Sequence, residues 1–190
     1  INATPIQPDG KIVSAGRVNY GGIISCGVTR HNSGGSLDTS FDGDGKTLVQ
    51  IGIEFNCSDV AVQADGKIVV VGYIHIGSIY NFAVFRYNSD GSPDTSFDGD
   101  GRKISAFVNG DFASAVAIQT DGKIVVRGNI GDEFAVVRYN SDGSLDASFD
   151  GDAWVATDFF GGPDHSRAIA IQTDGKILVA GNARATGSSL

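Results

Sequence analysis

Methionine is absent from the 190 residues, and cations are scarce: 14 Lys and Arg stand against 22 Asp and Glu, a formal net charge of −8. A chain without an initiator that opens on Ile1 reads as a processed protein or a segment of a longer one. The acidic balance opposes phosphate backbones and anionic lipid, so nucleic acid is not expected as a partner. No apolar run approaches the roughly 20 residues of a membrane span, and the first residues do not read as a basic-then-apolar leader, so membrane insertion is not expected. With only Cys26 and Cys57, the chain lacks the cysteines of a disulfide scaffold. Those two either bond or sit as free, partly buried thiols. Long segments of helical periodicity are also missing, which points to an all-β protein.

What is abundant is turn chemistry: 27 Gly, many Asp, Asn and Ser, and a plain internal repeat. Asp-Gly-Lys begins at Asp9, Asp65, Asp121 and Asp174, in steps of 56, 56 and 53, and Gln7, Gln63, Gln119 and Gln172 keep the same steps. "RYNSDGS" runs from Arg86 and from Arg138, with a weaker copy from Arg30. "SLDTSFDGDG" at residues 36–45 returns as "SPDTSFDGDG" at 92–101 and as "SLDASFDGDA" at 144–153. In each unit Asp-Gly joins two β-rich runs, as in "SAVAIQTDGKIVVRG", a hairpin signal for which a type I′ turn is expected. A third run ("FAVVRYN") and a fourth after "SFDGD" give four strands per unit. The hairpin strands, such as "AIAIQ" and "KILVAG", are apolar at nearly every position, so both of their faces should be covered.

Four-stranded units covered on both faces by their neighbours are propeller blades. The expected architecture is a β-propeller-type array of four-stranded antiparallel blades, about three and a half repeats of 53 to 56 residues in a single repeat domain. Its units span approximately 1–56, 57–112 and 113–165, with a partial unit at 166–190. Closed propellers need at least four blades. Self-association, or further blades of the same chain, is therefore expected at the open edges.

"IQPDGKIVSAG", "RYNSDGSLDASF" and "TDFFGGPDHSRAIAIQTDGKILVAG" resemble the delta-60 repeat, a propeller-like repeat of unassigned function in large, mostly bacterial surface or secreted proteins. The resemblance covers nearly the whole chain. It implies the propeller architecture and export, an extracellular or cell-surface location, and it brings no catalytic residue with it.

In "SFDGDG", Ser40, Asp42 and Asp44 place oxygens at alternate positions ahead of Gly45, like the first half of a calcium loop. Ser96, Asp98 and Asp100 repeat the pattern, as do Asp150 and Asp152. The loop lacks the closing bidentate Glu and Ala153 replaces the Gly, so a turn is the preferred reading and Ca2+ the alternative. Arg30, Arg86 and Arg138 recur with Asp38, Asp94 and Asp146, and each Arg is expected to pair with the Asp of its own unit. Where the repeat is broken, longer rim loops carry Tyr20, Tyr73, His75 and Tyr80, aromatic side chains able to stack on a sugar or anchor a partner. His31, His75 and His165 have no metal-ligand spacing, and no G-x-S-x-G, P-loop or H-E-x-x-H is present. Asp164 beside His165 is the one adjacent acid–imidazole pair, and Glu54, Asp132, Glu133 and Asp164 are the main carboxylates outside the repeat. Asn2 and Asn56 open N-x-[ST] sequons. The reading is a non-catalytic structural or adhesive module that assembles or binds a glycan or surface protein. A lectin-like propeller and a polysaccharide-active enzyme on a propeller scaffold are the alternatives.

Overall fold

The computed structural model describes residues 3–49, 54–108 and 110–187. It contains thirteen strands and no helix among these residues. The first unit holds β1 (Ile12–Tyr20), β2 (Ile23–His31) and β3 (Lys46–Val49). Its leading segment touches β1 through the bridges Ala3↔Ala15 and Ile6↔Ile12. The second unit holds β4 (Glu54–Val62), β5 (Ile68–Ile76), β6 (Ile79–Tyr87) and β7 (Arg102–Ser105), each antiparallel to the next. The third repeats that order with β8 (Asp111–Ile118), β9 (Ile124–Ile130), β10 (Glu133–Tyr139) and β11 (Trp154–Thr157). A two-stranded sheet of β12 (His165–Ile171) and β13 (Ile177–Asn182) follows.

The units are not all separate antiparallel sheets, as the repeat had suggested. A single parallel pair, Ile24↔Glu54, joins β2 to β4, so the first two units share one seven-stranded sheet. The cause lies close by. Cys26 and Cys57 form a disulfide, two residues beyond Ile24 and three beyond Glu54, and it draws the two strands together.

The Asp-Gly-Lys hairpins turn differently from the expected type I′. The Gly10 N–H donates to the Gln7 carbonyl at 2.9 Å, and within the turn only the glycine has positive φ, +82°. This is a type I turn closed by a left-handed glycine. Pro8 suits the second position of such a turn, and the Asp9 carboxylate accepts the Lys11 N–H at 3.1 Å, which ties the aspartate down without positive φ. The same bond recurs from Lys67 to Asp65 and from Lys123 to Asp121.

Alternation along β5 explains why its sequence is apolar throughout. Ile68 and Val70 enter the core shared with the first unit, and Val69 and Val71 enter the core shared with the third. All four are fully buried. Coverage of both faces fails at β12–β13, where Leu178 is 52% exposed with no further unit over it among the described residues.

One contact recurs at each junction with a telling exception. The Phe82 ring reaches to 2.9 Å from where a Cβ on Gly128 would stand, and Phe134 to 2.4 Å from the same point on Gly181; the backbone carbonyls of Phe112 and His165 come closer still, at 2.0 and 2.1 Å, so neither glycine has room for a side chain. Gly128 pairs with Ala113, and Gly181 with Ser166. At the first junction, Cys26 stands in the place of Phe82, and Cys57 in the place of Ala113. The disulfide substitutes for an aromatic ring seated on glycine.

Closing a 31-residue separation, that bond contributes about 3.7 kcal/mol by chain-entropy reasoning. Urea unfolding of Cys26→Ala/Cys57→Ala should show a loss of about that size. Cys26→Phe/Cys57→Ala, which copies the other junctions, should regain more than half of it. Equal stability of the two variants would show that the ring and the disulfide are not interchangeable.

Candidate functional site: the inter-unit joint and an aromatic rim

Each repeated Arg–Asp pair sits where its unit meets the next. Arg86 Nε donates to Asp94 Oδ2 at 2.6 Å, and Arg86 Nη2 donates to Ser96 Oγ at 3.0 Å. The Ser96 hydroxyl in turn donates to Asp94 Oδ1 at 2.7 Å, so each group of the triad holds the other two. Lys67 Nζ, from the Asp-Gly-Lys hairpin, adds a second cation at 2.9 Å from Asp94 Oδ2. The guanidinium lies 4.8 Å from the centre of the buried Phe97 ring. Its remaining arm, Nη1, donates to the Ser141 carbonyl of the following unit.

The first unit repeats this with Arg30, Asp38, Ser40, Lys11 and Phe41, and Arg30 Nη1 reaches the Ser89 carbonyl. Arg138, Asp146, Ser148 and Lys123 form the third copy. The expected Arg–Asp pairs are all present. What the repeat alone did not reveal is that the same Arg also crosses to the next unit.

"SFDGDG" is the other half of this joint. Asp42 and Asp98 hold left-handed φ of +50° and +49°, which turns their N–H groups outward. Asp42 N–H donates to the Asp90 carbonyl at 2.7 Å, and Asp98 N–H to the Asp142 carbonyl at 2.8 Å. Gly91 must be glycine, because a Cβ there would stand 2.8 Å from Asp42 N and 3.0 Å from the Phe41 ring. The acidic side chains of the loop serve it locally. Asp44 accepts the Lys46 N–H, Asp98 pairs with Lys103, Asp100 with Arg102, and Asp152 accepts the Trp154 N–H. Asp150 has the positive φ of its counterparts, +53°. Among the described residues no group of three His, Cys, Asp or Glu side chains converges as a metal site.

Electrostatics follow from these contacts. Asp38 is held well below the usual carboxylate range by the Ser40 hydroxyl, then by Lys11 and Arg30, against the opposing effect of burial. Asp94 shifts the same way: burial works against it, and Ser96, Lys67 and Arg86 together outweigh burial. Asp146 is lowered by Ser148 first, with Arg138 and Lys123 adding to it.

Three of the four predicted rim aromatics come together. His75 stacks on Tyr80 with ring centres 4.7 Å apart, and Tyr73 meets Tyr80 edge-on at 5.7 Å. Phe112 of the third unit, which sequence reasoning missed, completes the group at 5.0 Å from Tyr73 and 4.9 Å from Tyr80. Its one signal was an aromatic ring near the start of a strand, at a position where the other units carry Asn56 and His165. All four are half-buried, and the apolar Ile76 and Ile79 stand exposed at the tip of the same hairpin. Burial pushes the Tyr73 phenol up, and Glu54 and Tyr80 push it further. Glu54 accepts a 2.7 Å bond from Asn56, its neighbour on the same strand. The side chain of Tyr20 and the sequon residue Asn2 lie outside the described residues.

Two unrepeated ions also join units. Asp59 accepts the Val116 N–H at 2.9 Å, and Arg127 donates to the carbonyls of Ser166 and Arg167 at 2.7 and 2.8 Å. Burial raises the Asp59 carboxyl and lowers the Arg127 guanidinium. Asp164 is buried, and its carboxylate accepts the Phe159 N–H at 3.0 Å. Its neighbour His165 is exposed at the start of β12. Trp154 meets Phe107 with ring centres 5.4 Å apart.

The family model described as "domain of unknown function (DUF5122) beta-propeller" matches residues 7–41, 63–97 and 119–149, more than half of the chain. The chain belongs to that family. Each match runs from the Gln of the Asp-Gly-Lys turn into the "SFDGD" segment and so contains the Lys, Arg, Asp, Ser and Phe of one joint. No curated protein matches the chain. Among solved structures, a protein of unknown function from Bacteroides caccae is similar at 12% identity and TM-score 0.53. A gluconolactonase of Xanthomonas campestris is similar at 14% and 0.51. Each likeness covers 94% of this chain and 52% of the other, so the chain spans about half the length of either.

The joint predicts its own perturbations. Asp94→Asn leaves Arg86 and Lys67 without their anion and should cost about 3 kcal/mol in denaturant unfolding. Carboxylates whose folded pKa is depressed stabilise fully above the unfolded value, near 3.8, and lose that contribution as pH falls through the folded value. Thermal melts should therefore decline below about pH 4, and less steeply in Asp94→Asn. Ala153 holds φ +80° where the other copies have Gly45 and Gly101, so Ala153→Gly should stabilise by about 1 kcal/mol in the same measurement.

Proposed function

We propose that the chain is a non-catalytic structural module of an extracellular or cell-surface repeat protein, whose chemistry is the joining of one blade to the next. The observation that carries this is the Arg–Asp–Ser–Phe node. The first two copies commit their charged groups to their own unit and one guanidinium arm to the next. In this reading the four-strand units are propeller blades, and the chain is an arc of a larger propeller completed by further blades. The half-length likeness to the two solved structures supports the arc. The disulfide supports an oxidising compartment, as does the resemblance to delta-60 repeats.

A second reading, carbohydrate binding, is favoured by one cluster. Tyr73, His75, Tyr80 and Phe112 offer half-exposed rings beside Glu54 and Asn56, aromatic area next to polar groups as sugar stacking requires. The gluconolactonase among the similar structures supplies a reaction with which to test for catalysis.

Incubating the purified chain with aldonolactones and with a panel of polysaccharides should yield no turnover. Hydrolysis of any of them above the buffer rate would overturn the structural reading. On a glycan array the second reading expects binding that Tyr80→Ala reduces by about tenfold or more, since aromatic anchors dominate such contacts. An array without signal removes that reading.

A further inference from the structure

The third unit ends in a joint whose far side is open. In the first two joints Arg30 and Arg86 have side chains 5% exposed, whereas Arg138 is 17% exposed. Phe41 and Phe97 are fully buried, while their counterpart Phe149 is half-buried beneath Arg138. Lys67 and Lys123, 28% exposed, reach the Asp of their own units; Lys176 is 75% exposed and, among the described residues, pairs with Asp174 of its own turn. Between the third unit and β13 lies a cavity of about 480 Å³ lined by Val136, Arg138, Phe149, Val155, Lys176 and Val179. At the preceding junction the equivalent of Val136 is Val84, which is buried in one core with Val137 and Tyr139. There Tyr139 is fully buried with its hydroxyl on Ser105 Oγ at 3.2 Å.

We propose that this face is a docking site for one kind of occupant, a strand–turn–strand segment of the same repeat carrying Arg-Tyr-Asn-Ser-Asp-Gly-Ser. The two formed joints specify what it supplies. Its first strand pairs with the free edge of β13, as β10 pairs with β9. Its Tyr fills the cavity over Val136. Its Ser-Asp-Gly turn presents carbonyls to Arg138 Nη1 and to the Asp150 N–H, and its glycine lies on Phe149. The Asp that follows the turn by a few residues takes the place beside Lys176 that Asp146 holds beside Lys123. A complete first unit of a second copy does not fit, because its own leading strand and β1 would compete with β12–β13 for the same place. The proposal rests on the joining role given above. Turnover in the assays there defeats that role, whereas failure of docking alone defeats this site.

The test adds a synthetic peptide copying residues 133–157 to the full chain, read by calorimetry and thermal melting. The expected result is one-to-one binding and a raised melting temperature. A peptide with Gly143→Val should bind at least about tenfold more weakly, because a Cβ at Gly143 would stand 3.0 Å from the Phe97 ring and 3.1 Å from Asp98 N in the formed joint. On the chain, Phe149→Ala should weaken binding to a similar extent, and so should Val136→Glu, at a half-exposed position where folding is undisturbed. Circular dichroism verifies the fold of both. No binding at saturating peptide, or equal binding of the two peptides, overturns the site. So does a stable dimer of the chain alone that the peptide fails to dissociate, which would put a second copy there.

Discussion

Everything in the array depends on a guanidinium with more donors than its own unit can use. One arm and Nε are satisfied by the serine and aspartate of the same unit, and the other arm must find an acceptor elsewhere. The acceptor is a turn carbonyl in the neighbour. A buried cation half-satisfied within its unit is costly, so the unit is incomplete until the next one arrives. Phe97 and the left-handed Asp98 make the same demand in apolar and backbone form. Stacking is thereby built into each repeat, and the apolar cores between units act in the same direction.

Much of this was legible in the sequence because it is periodic. The eight-residue spacing of Arg and Asp, the Asp-Gly turns and the four apolar runs recur, and each recurrence reports a demand of the fold. The turn type was not legible, since Asp-Gly suits both a type I′ turn and a type I turn closed by glycine. The difference is made by the residue before Asp and by the Asp carboxylate bonding forward to lysine. The Cys26–Cys57 bond stayed open because no pattern in a single unit shows which residues face across a junction. That depends on the rotation between units.

For the same reason Phe112, Asp59 and Arg127 escaped notice. Each acts on a different unit from its own, and none repeats. Tyr73, His75 and Tyr80 were found through the longer loop that breaks the repeat, but their mutual stacking and their partner Phe112 needed the third dimension. Periodicity reports the scaffold, and its breaks mark positions where individual contacts are made.

The junctions are not equivalent, and this gives the array a direction under load. In a stack where each unit touches only its neighbours, opening starts at the weakest contact and travels. The first contact is covalent and the next two are aromatic rings on glycine. A pull on the ends would load β1 and everything after Cys57, but not the loop that the cystine encloses. However far the chain opens, β2 and β4 stay tethered to each other, and the first junction re-forms without a search for its partner.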